Sequence, residues 1–444
     1  MSFLTHSEAD RQEMLAAVGV SSVRELYGDI PASLILDGPL PLPDPLSEWE
    51  ATSLVSGHAA RNAELVCFAG AGIYDHHVPA AADHVLRRSE FYTAYTPYQP
   101  EVSQGTLQSI YEFQTMVCEL TGLDVANASI YDGASATAEA VLMALSVTRR
   151  NEILLAGHLH PHYRQVVKTY TQGLDVSLLS VGAGEGGTVE EGALEVTDAT
   201  ACVVVQSPNA LGLIEELPPL AERIHDAGAL LVCAVADPVS LALIRPPGEQ
   251  GADVVAGEGQ PFGNTPNFGG PVVGLFAARE KFIRKMPGRI VGATEDTEGR
   301  RGYVLTLQTR EQQIRRERAT SNICTNQGLN ALAATLHLAM LGREGLRQVA
   351  ETSVQNAHYA AARILELDGF ELLYPDTPFV REFAVRTPED PRAILSRGLE
   401  RGMLAGVRLG RFPDLETPDG LLLAFTEKRT RAEIDRLVDV LAGS

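Results

Sequence analysis

The chain has 444 residues, 45% of them hydrophobic and 21% charged, a globular composition long enough for a large core and a second, smaller domain. Its formal net charge of −21 argues against nucleic acid and against an anionic membrane surface as partners. The five cysteines, Cys67, Cys118, Cys202, Cys233 and Cys324, are odd in number and mostly set in apolar runs, so neither a disulfide framework nor a zinc site follows and a reducing cytoplasm is expected.

Met1 to Asp10 is acidic and polar with no signal-peptide core, and no apolar run approaches the about 20 residues of a membrane span. Ser7 with Asp10 predicts a capped helix carrying Met14, Leu15 and Val18. Gly38 to Pro45 alternates with prolines and reads as an extended connector. Residues 1–60 therefore form an N-terminal arm, which gains by lying on a neighbour or on its own domain. Residues 61–320 read as a large α/β domain. Apolar runs beginning at Ile153, Val176, Cys202, Ala229, Asp253 and Val272 have strand length and no strict polar alternation, which suits a mostly parallel sheet buried on both faces. Between them, Pro218 and Pro219 open a surface helix with Leu220 and Ile224 on one face. Residues 321–444 read as a smaller α+β domain. Leu329, Leu332, Ala333, Leu336 and Met340 mark one long helix, and Val349, Val354, Ala361, Ile364 and Leu365 a second. Two strands, at Phe379–Val385 and Leu421–Phe425, precede a last helix capped by Thr430 and Glu433.

Several stretches are candidates for chemistry. Tyr131 to Glu139 opens an alanine-rich helix whose first turn is either an anion cradle or a capped core helix. Gly70-Ala-Gly72 and Gly182 to Gly187 lack the features of a dinucleotide fingerprint. His158, His160 and His162 cluster without a second ligand group at metal spacing, so no metal site is read. Arg310 to Arg318, interleaved with Glu311 and Glu317, reads as a solvated or ion-paired helix. Tyr92 to Gly105 concentrates tyrosines, prolines and amides in a segment too proline-broken for a helix. It is either a packed structural loop or a rigid wall for a small polar substrate. Ala319 to Gln327 is a similar polar patch at the junction of the two domains.

The run Ala229 to Asp237 ends in an aspartate and is followed by the glycine- and proline-rich loop Gly257 to Pro271. In a pyridoxal-phosphate enzyme of the aspartate aminotransferase superfold, that aspartate would pair the pyridine nitrogen, and a lysine in the later loop would bind the cofactor. Lysine occurs only at Lys168, Lys281, Lys285 and Lys428, none of them in that loop.

The motifs Tyr95-Thr-Pro-Tyr-Gln-Pro-Glu-Val-Ser-Gln-Gly105, Ala126 to Gly133, Gly257-Glu-Gly-Gln260, Phe268-Gly-Gly-Pro271 and Arg316 to Thr325 resemble the first-subunit family of the two-subunit glycine decarboxylase, the P-protein of the glycine cleavage system. The resemblance runs from about residue 5 to the C-terminus. It implies a type I pyridoxal-phosphate-dependent transferase fold, α/β with a mostly parallel large-domain sheet and a smaller α+β C-terminal domain. It also implies that pyridoxal phosphate sits on the partner subunit, none being covalently bound to this chain. Glycine would be decarboxylated on that cofactor and its aminomethyl carbon passed to the lipoyl disulfide of H-protein, within an α2β2 heterotetramer. Tyr95, Tyr98, Glu101 and Gln104, with Asn322 and Thr325 as contacts to the cofactor side, are then expected to line a cleft shared with the cofactor-bearing subunit. A purely structural or regulatory subunit is the alternative, and the loop Gly257 to Pro271 becomes a filled or vestigial site.

Overall fold

The computed structural model describes residues 5–443, so the first four residues of the N-terminal reading fall outside it. The chain divides into two compact units, Met1–Ala63 and Glu64–Ser444. The first holds α1 (Glu8–Val18) and α2 (Glu48–Ala59). Each begins with a reciprocal capping box, Ser7 with Asp10 and Ser47 with Glu50, which satisfies otherwise unpaired N–H groups at the helix start. Ser7 was legible in the sequence, whereas α2 was not anticipated. Leu15 is buried, but Val18, Leu34, Leu42, Trp49 and Val55 are exposed.

The second unit is built on α3 (Gln104–Thr121), α4 (Gly133–Thr148), α5 (Pro161–Thr171) and α6 (Leu217–Asp226) around a seven-stranded sheet. Its strands are β1 (Val125–Ala126), β2 (Glu152–Ala156), β3 (Ser177–Val181), β4 (Thr200–Gln206), β5 (Leu230–Val235), β6 (Val254–Glu258) and β7 (Gly274–Ala278). They lie in the order β1-β7-β6-β5-β4-β2-β3. Pairing is parallel from β3 through β6, and β7 runs antiparallel to both its neighbours.

The apolar runs work because successive side chains point to opposite faces. Val203, Val205, Leu231, Cys233 and Val235 enter one core with α3, α6 and part of the long helix described below. Cys202, Val204, Leu230, Val232 and Ala234 enter the other, under the alanines of α4 and against α5. Every expected strand is present, but β3 is an edge strand with no fully buried residue, because it has a neighbour on one side only. The prolines at the start of α6 and its buried Leu220, Ala221 and Ile224 match the sequence pattern.

A hairpin of β8 (Ile290–Glu295) and β9 (Arg301–Thr306) follows the sheet. The expected helix over Arg310–Arg318 is not formed. Three single turns occupy the segment: Arg316 has φ 52°, outside the helical region, and Arg310 turns inward to donate to the carbonyls of Met286 and Gly288. The two predicted long helices form one element, α7 (Gly328–Ile364), broken at Gly342, where φ 60° and ψ −175° suit glycine alone. The C-terminal part is an antiparallel sheet of β10 (Glu371–Leu372), β11 (Glu382–Arg386), β12 (Val407–Arg408) and β13 (Leu421–Ala424). It is covered by α8 (Pro391–Glu400), α9 (Arg431–Ala442) and the end of α7. Thr430 and Glu433 cap α9 as the sequence predicts. Val66–Cys67, near the start of the second unit, pairs with Met403–Leu404 close to its end. No helix among the described residues is long and apolar enough to cross a membrane.

Candidate active site

The loop Gly257 to Pro271 has two unlike halves. Gly257 to Gly263 is buried, whereas Thr265 to Gly269 is exposed with Phe268 at its tip. In the buried half, Glu258 turns its carboxylate to the start of α4. Its Oε2 accepts from Gly133 N at 3.0 Å, and its Oε1 accepts from Gln260 N at 2.9 Å. The helix N-terminus that offered an anion cradle is thus occupied by a carboxylate of the chain itself. Any Cβ at position 133 would meet the Tyr163 hydroxyl at 2.0 Å, so the approach requires glycine. Burial lifts the Glu258 pKa to about 8, outweighing the N–H groups that favour its ionised form. Gln260 is fully buried and clamps the backbone of Tyr74, accepting from its N at 2.9 Å and donating to its O at 3.0 Å.

Asp237 follows β5, with both carboxylate oxygens taken by Arg381. Nε of Arg381 donates at 2.6 Å to Oδ2, and Nη2 donates to Oδ1. The third donor, Nη1, lies 2.8 Å from His76 Nε2, while His76 Nδ1 lies 2.6 Å from Glu427. Burial, reinforced by the Arg381 charge, holds the His76 pKa below its ordinary value. A neutral imidazole protonated on Nδ1 satisfies both contacts. The guanidinium also lies 4.0 Å over the Tyr74 ring, and the Tyr74 hydroxyl donates at 2.8 Å to Glu382, whose other oxygen accepts from Ala71 N. What remains between Asp237, Arg381 and Tyr74 is a cavity of ≈ 10 Å³, about the room of one water.

Pyridoxal phosphate does not fit this arrangement. Its aspartate is bound by an arginine, the helix N-terminus that would take a phosphate is occupied, and no lysine is at hand. Lys281, Lys285 and Lys428 contact Asp253, Ser146 and Asp75, and Lys168 is exposed on α5. Of the histidine cluster, the His160 and His162 rings stay 5.1 Å apart while each histidine has its own partners. His160 caps α5 by accepting from His162 N and also contacts Ala71 O, His158 contacts Tyr374, and His162 faces solvent. Burial lowers the pKa of both His158 and His160 to about 4. Among the described residues no group of acidic, histidine and cysteine side chains could hold a metal ion.

A second hollow is open. A cavity of ≈ 200 Å³ is walled by Phe91, Tyr95, Pro97, Arg289, Thr325 and Asn326, and floored by the start of α7. The structure therefore brings Tyr95 and Thr325 together although 230 residues separate them in sequence. Tyr98 stands beside the cavity, its hydroxyl 3.4 Å from Arg289 Nη2. Glu101, Gln104 and Asn322 are not in the wall. Gln104 instead exchanges two hydrogen bonds with the backbone of Tyr303, at 2.9 Å each, tying α3 to β9. Arg289 and Asn326 were not singled out from the sequence. Asn326 lies in the polar stretch already noted and donates to Ala128 O and Ser129 Oγ. For Arg289 no local signal exists: its burial is set by strands and loops remote in sequence.

The profile described as Glycine cleavage system P-protein matches residues 1–441. The probable glycine dehydrogenase (decarboxylating) subunit 1 of Carboxydothermus hydrogenoformans is 51% identical over 449 residues, with 100% of each chain covered. The protein of the same description from Thermomicrobium roseum is 52% identical over 447 residues, 99% of each. A crystal structure of glycine decarboxylase (P-protein) of the glycine cleavage system, in inhibitor-bound form, matches with TM-score 0.91 at 43% identity, with 100% of both chains covered. A sphingosine-1-phosphate lyase of Burkholderia pseudomallei, 16% identical with TM-score 0.66 and 92% of each chain covered, shares the fold alone. With the sheet order, the loop motifs and the full-length identity in agreement, the chain belongs to the P-protein family of the glycine cleavage system, on its subunit 1 branch, and has the type I pyridoxal-phosphate-dependent transferase fold.

Proposed function

We propose that this chain is the glycine decarboxylase subunit that carries no pyridoxal phosphate and completes, against a cofactor-bearing second subunit, the site where glycine is decarboxylated and its aminomethyl group passes to the lipoyl group of H-protein. The observation that carries this reading is the contrast between a cofactor position filled by paired side chains and an open cavity lined by Tyr95 and Thr325. Tyr95 is 80% exposed, an apolar ring with a hydrogen-bonding tip standing free at the cavity mouth, as a residue that meets a partner or its ligand would be. The chain's own task is then positioning: Tyr95, Thr325 and Asn326 shape the wall, and Tyr98 packs on the cation behind it. A cavity of ≈ 200 Å³ suits a small polar molecule and is below the ~300–1,000 Å³ of sites for larger ligands. An α2β2 assembly in the cytoplasm completes the reading, supported by the subunit 1 description of the relatives and by five free cysteines.

Tyr95→Ala in the assembled two-subunit enzyme tests it by glycine–bicarbonate exchange. The expected result is a loss of about tenfold in rate or in apparent glycine affinity, equivalent to about 1.4 kcal/mol. Exchange within twofold of wild type, with assembly intact, overturns the shared site.

A further inference from the structure

Three arginines of the described residues are more than nine-tenths buried: Arg381, Arg429 and Arg289. Arg381 is paired with Asp237, and Arg429 with Asp75 and Glu433. Arg289 is 6% exposed and makes no ion pair with any described carboxylate. Its Nε has no hydrogen-bond partner, and its Nη2 reaches only the Tyr98 hydroxyl, at a long 3.4 Å. The Tyr98 ring lies 5.7 Å from the guanidinium carbon, and Arg289 O accepts from Ala128 N at 2.8 Å, so backbone and head are both held. On its other side a hollow of ≈ 10 Å³ is lined by Arg289, Arg310 and Glu311, and Glu311 is engaged by Gln313. A cation taken out of water is costly unless an anion compensates it.

The open cavity supplies the place for that anion. Among the described residues Arg289 is the only charged one in its wall. The wall also includes Gly328 and Leu329, the first residues of α7, whose N-terminus has no side-chain cap and so leaves N–H groups and the positive end of the helix dipole unmatched. Thr106 and Thr325 add hydroxyl groups around the same space, whereas Ser109 donates to Thr106 O and Asn326 to Ala128 O and Ser129 Oγ. A buried unpaired guanidinium and an uncapped helix start thus meet in one cavity.

We propose that Arg289 and the N-terminus of α7 form a binding site for a small oxyanion, the carboxylate of glycine or the phosphate of the partner's cofactor. The site deepens the proposed function and rests on the cavity being shared. A guanidinium binds either group through two parallel N–H donors, which a lysine cannot reproduce.

The test uses the assembled two-subunit enzyme carrying Arg289→Met or Arg289→Lys. Expected for R289M is a rise of at least about tenfold in glycine KM or in the cofactor dissociation constant, with R289K recovering part of the loss. A rise in glycine KM with unchanged cofactor binding assigns the carboxylate, and weakened cofactor binding assigns the phosphate. Both constants within twofold of wild type in assembled R289M overturn the site. If R289M does not assemble, wild-type enzyme is titrated with acetate and with inorganic phosphate at fixed ionic strength. Competition with glycine or with cofactor by either ion supports the site, and competition by neither overturns it. If R289M is silent while Tyr95→Ala still slows exchange, the oxyanion site falls and the shared cavity stands.

Discussion

Arg381 and Arg289 are both buried, and their surroundings are opposite. Around Arg381 each of the three guanidinium nitrogens has an acceptor, an aromatic ring lies beneath, and the leftover space is ≈ 10 Å³. Around Arg289 one nitrogen has no partner, one has a distant hydroxyl, and the adjoining space is ≈ 200 Å³. The first arrangement is closed: its charges tie the end of β5 in the seven-stranded sheet to the start of β11 in the C-terminal sheet and leave almost no space. The second is incomplete as it stands. On the function proposed above, the closed position is structure and the open cavity is the one that binds.

The largest expected effect breaks the closed side. Asp237→Ala leaves Arg381 buried and unpaired, which should cost about 3–5 kcal/mol and lower the Tm clearly. The surviving folded enzyme should keep its glycine KM within twofold, and a KM rise comparable to that of R289M would erase the distinction between the two arginines.

Next comes the carboxylate at the helix start. Burial raises the Glu258 pKa from its ordinary value of 4.5 to about 8, so the folded state holds a proton that the unfolded state releases. The stability tied to that proton is fully present below pH 4.5 and is lost as pH rises through about 8. Glu139, Glu215 and Glu382, each raised to about 7 by burial, act in the same direction. The buried histidines, held below their ordinary 6.5, oppose this trend in acid, so the fall in Tm should be read between pH 7 and pH 9, with Glu258→Gln removing on the order of 1 kcal/mol of it. An unchanged pH slope in E258Q would mean that Glu258 is ionised throughout and binds α4 as a charge.

The smallest effect sharpens the open side. Gln104→Ala removes the two bonds to Tyr303 and should cost about 1 kcal/mol in stability, with glycine KM unchanged. A KM shift without a stability loss would bring Gln104 back into the cavity wall beside Tyr95.

Much of the scaffold was readable because it is local. Strands β2 to β7 announce themselves as apolar runs, α6 by its prolines and the Leu220–Ile224 face, and α1 and α9 by four-residue capping patterns. The misreadings have causes remote in the chain. The basic segment at Arg310–Arg318 has helical composition, but a carbonyl pair at Met286 and Gly288 draws Arg310 away, and Arg316 leaves the helical region. The exposed edge of β3 could not be told from a central strand, since sheet order is not written in any one strand. For the cavity, the rigid Tyr92–Gly105 stretch pointed to Tyr95 and Tyr98, but which of its neighbours face the space depended on the hairpin Ile290–Thr306 and on α7.

By itself the sequence determined the layered α/β scaffold, the capped helices and the lack of a cofactor lysine between Asp237 and Pro271, because periodicity, capping and residue identity act within a few positions. Only the tertiary structure decided that Asp237 meets Arg381 across 144 residues, that Glu258 reaches Gly133 across 125, and that Arg289 is buried with no paired carboxylate among the described residues. Those facts follow from which strands and helices become neighbours, and it is neighbours far apart in the chain that set whether a buried charge is compensated.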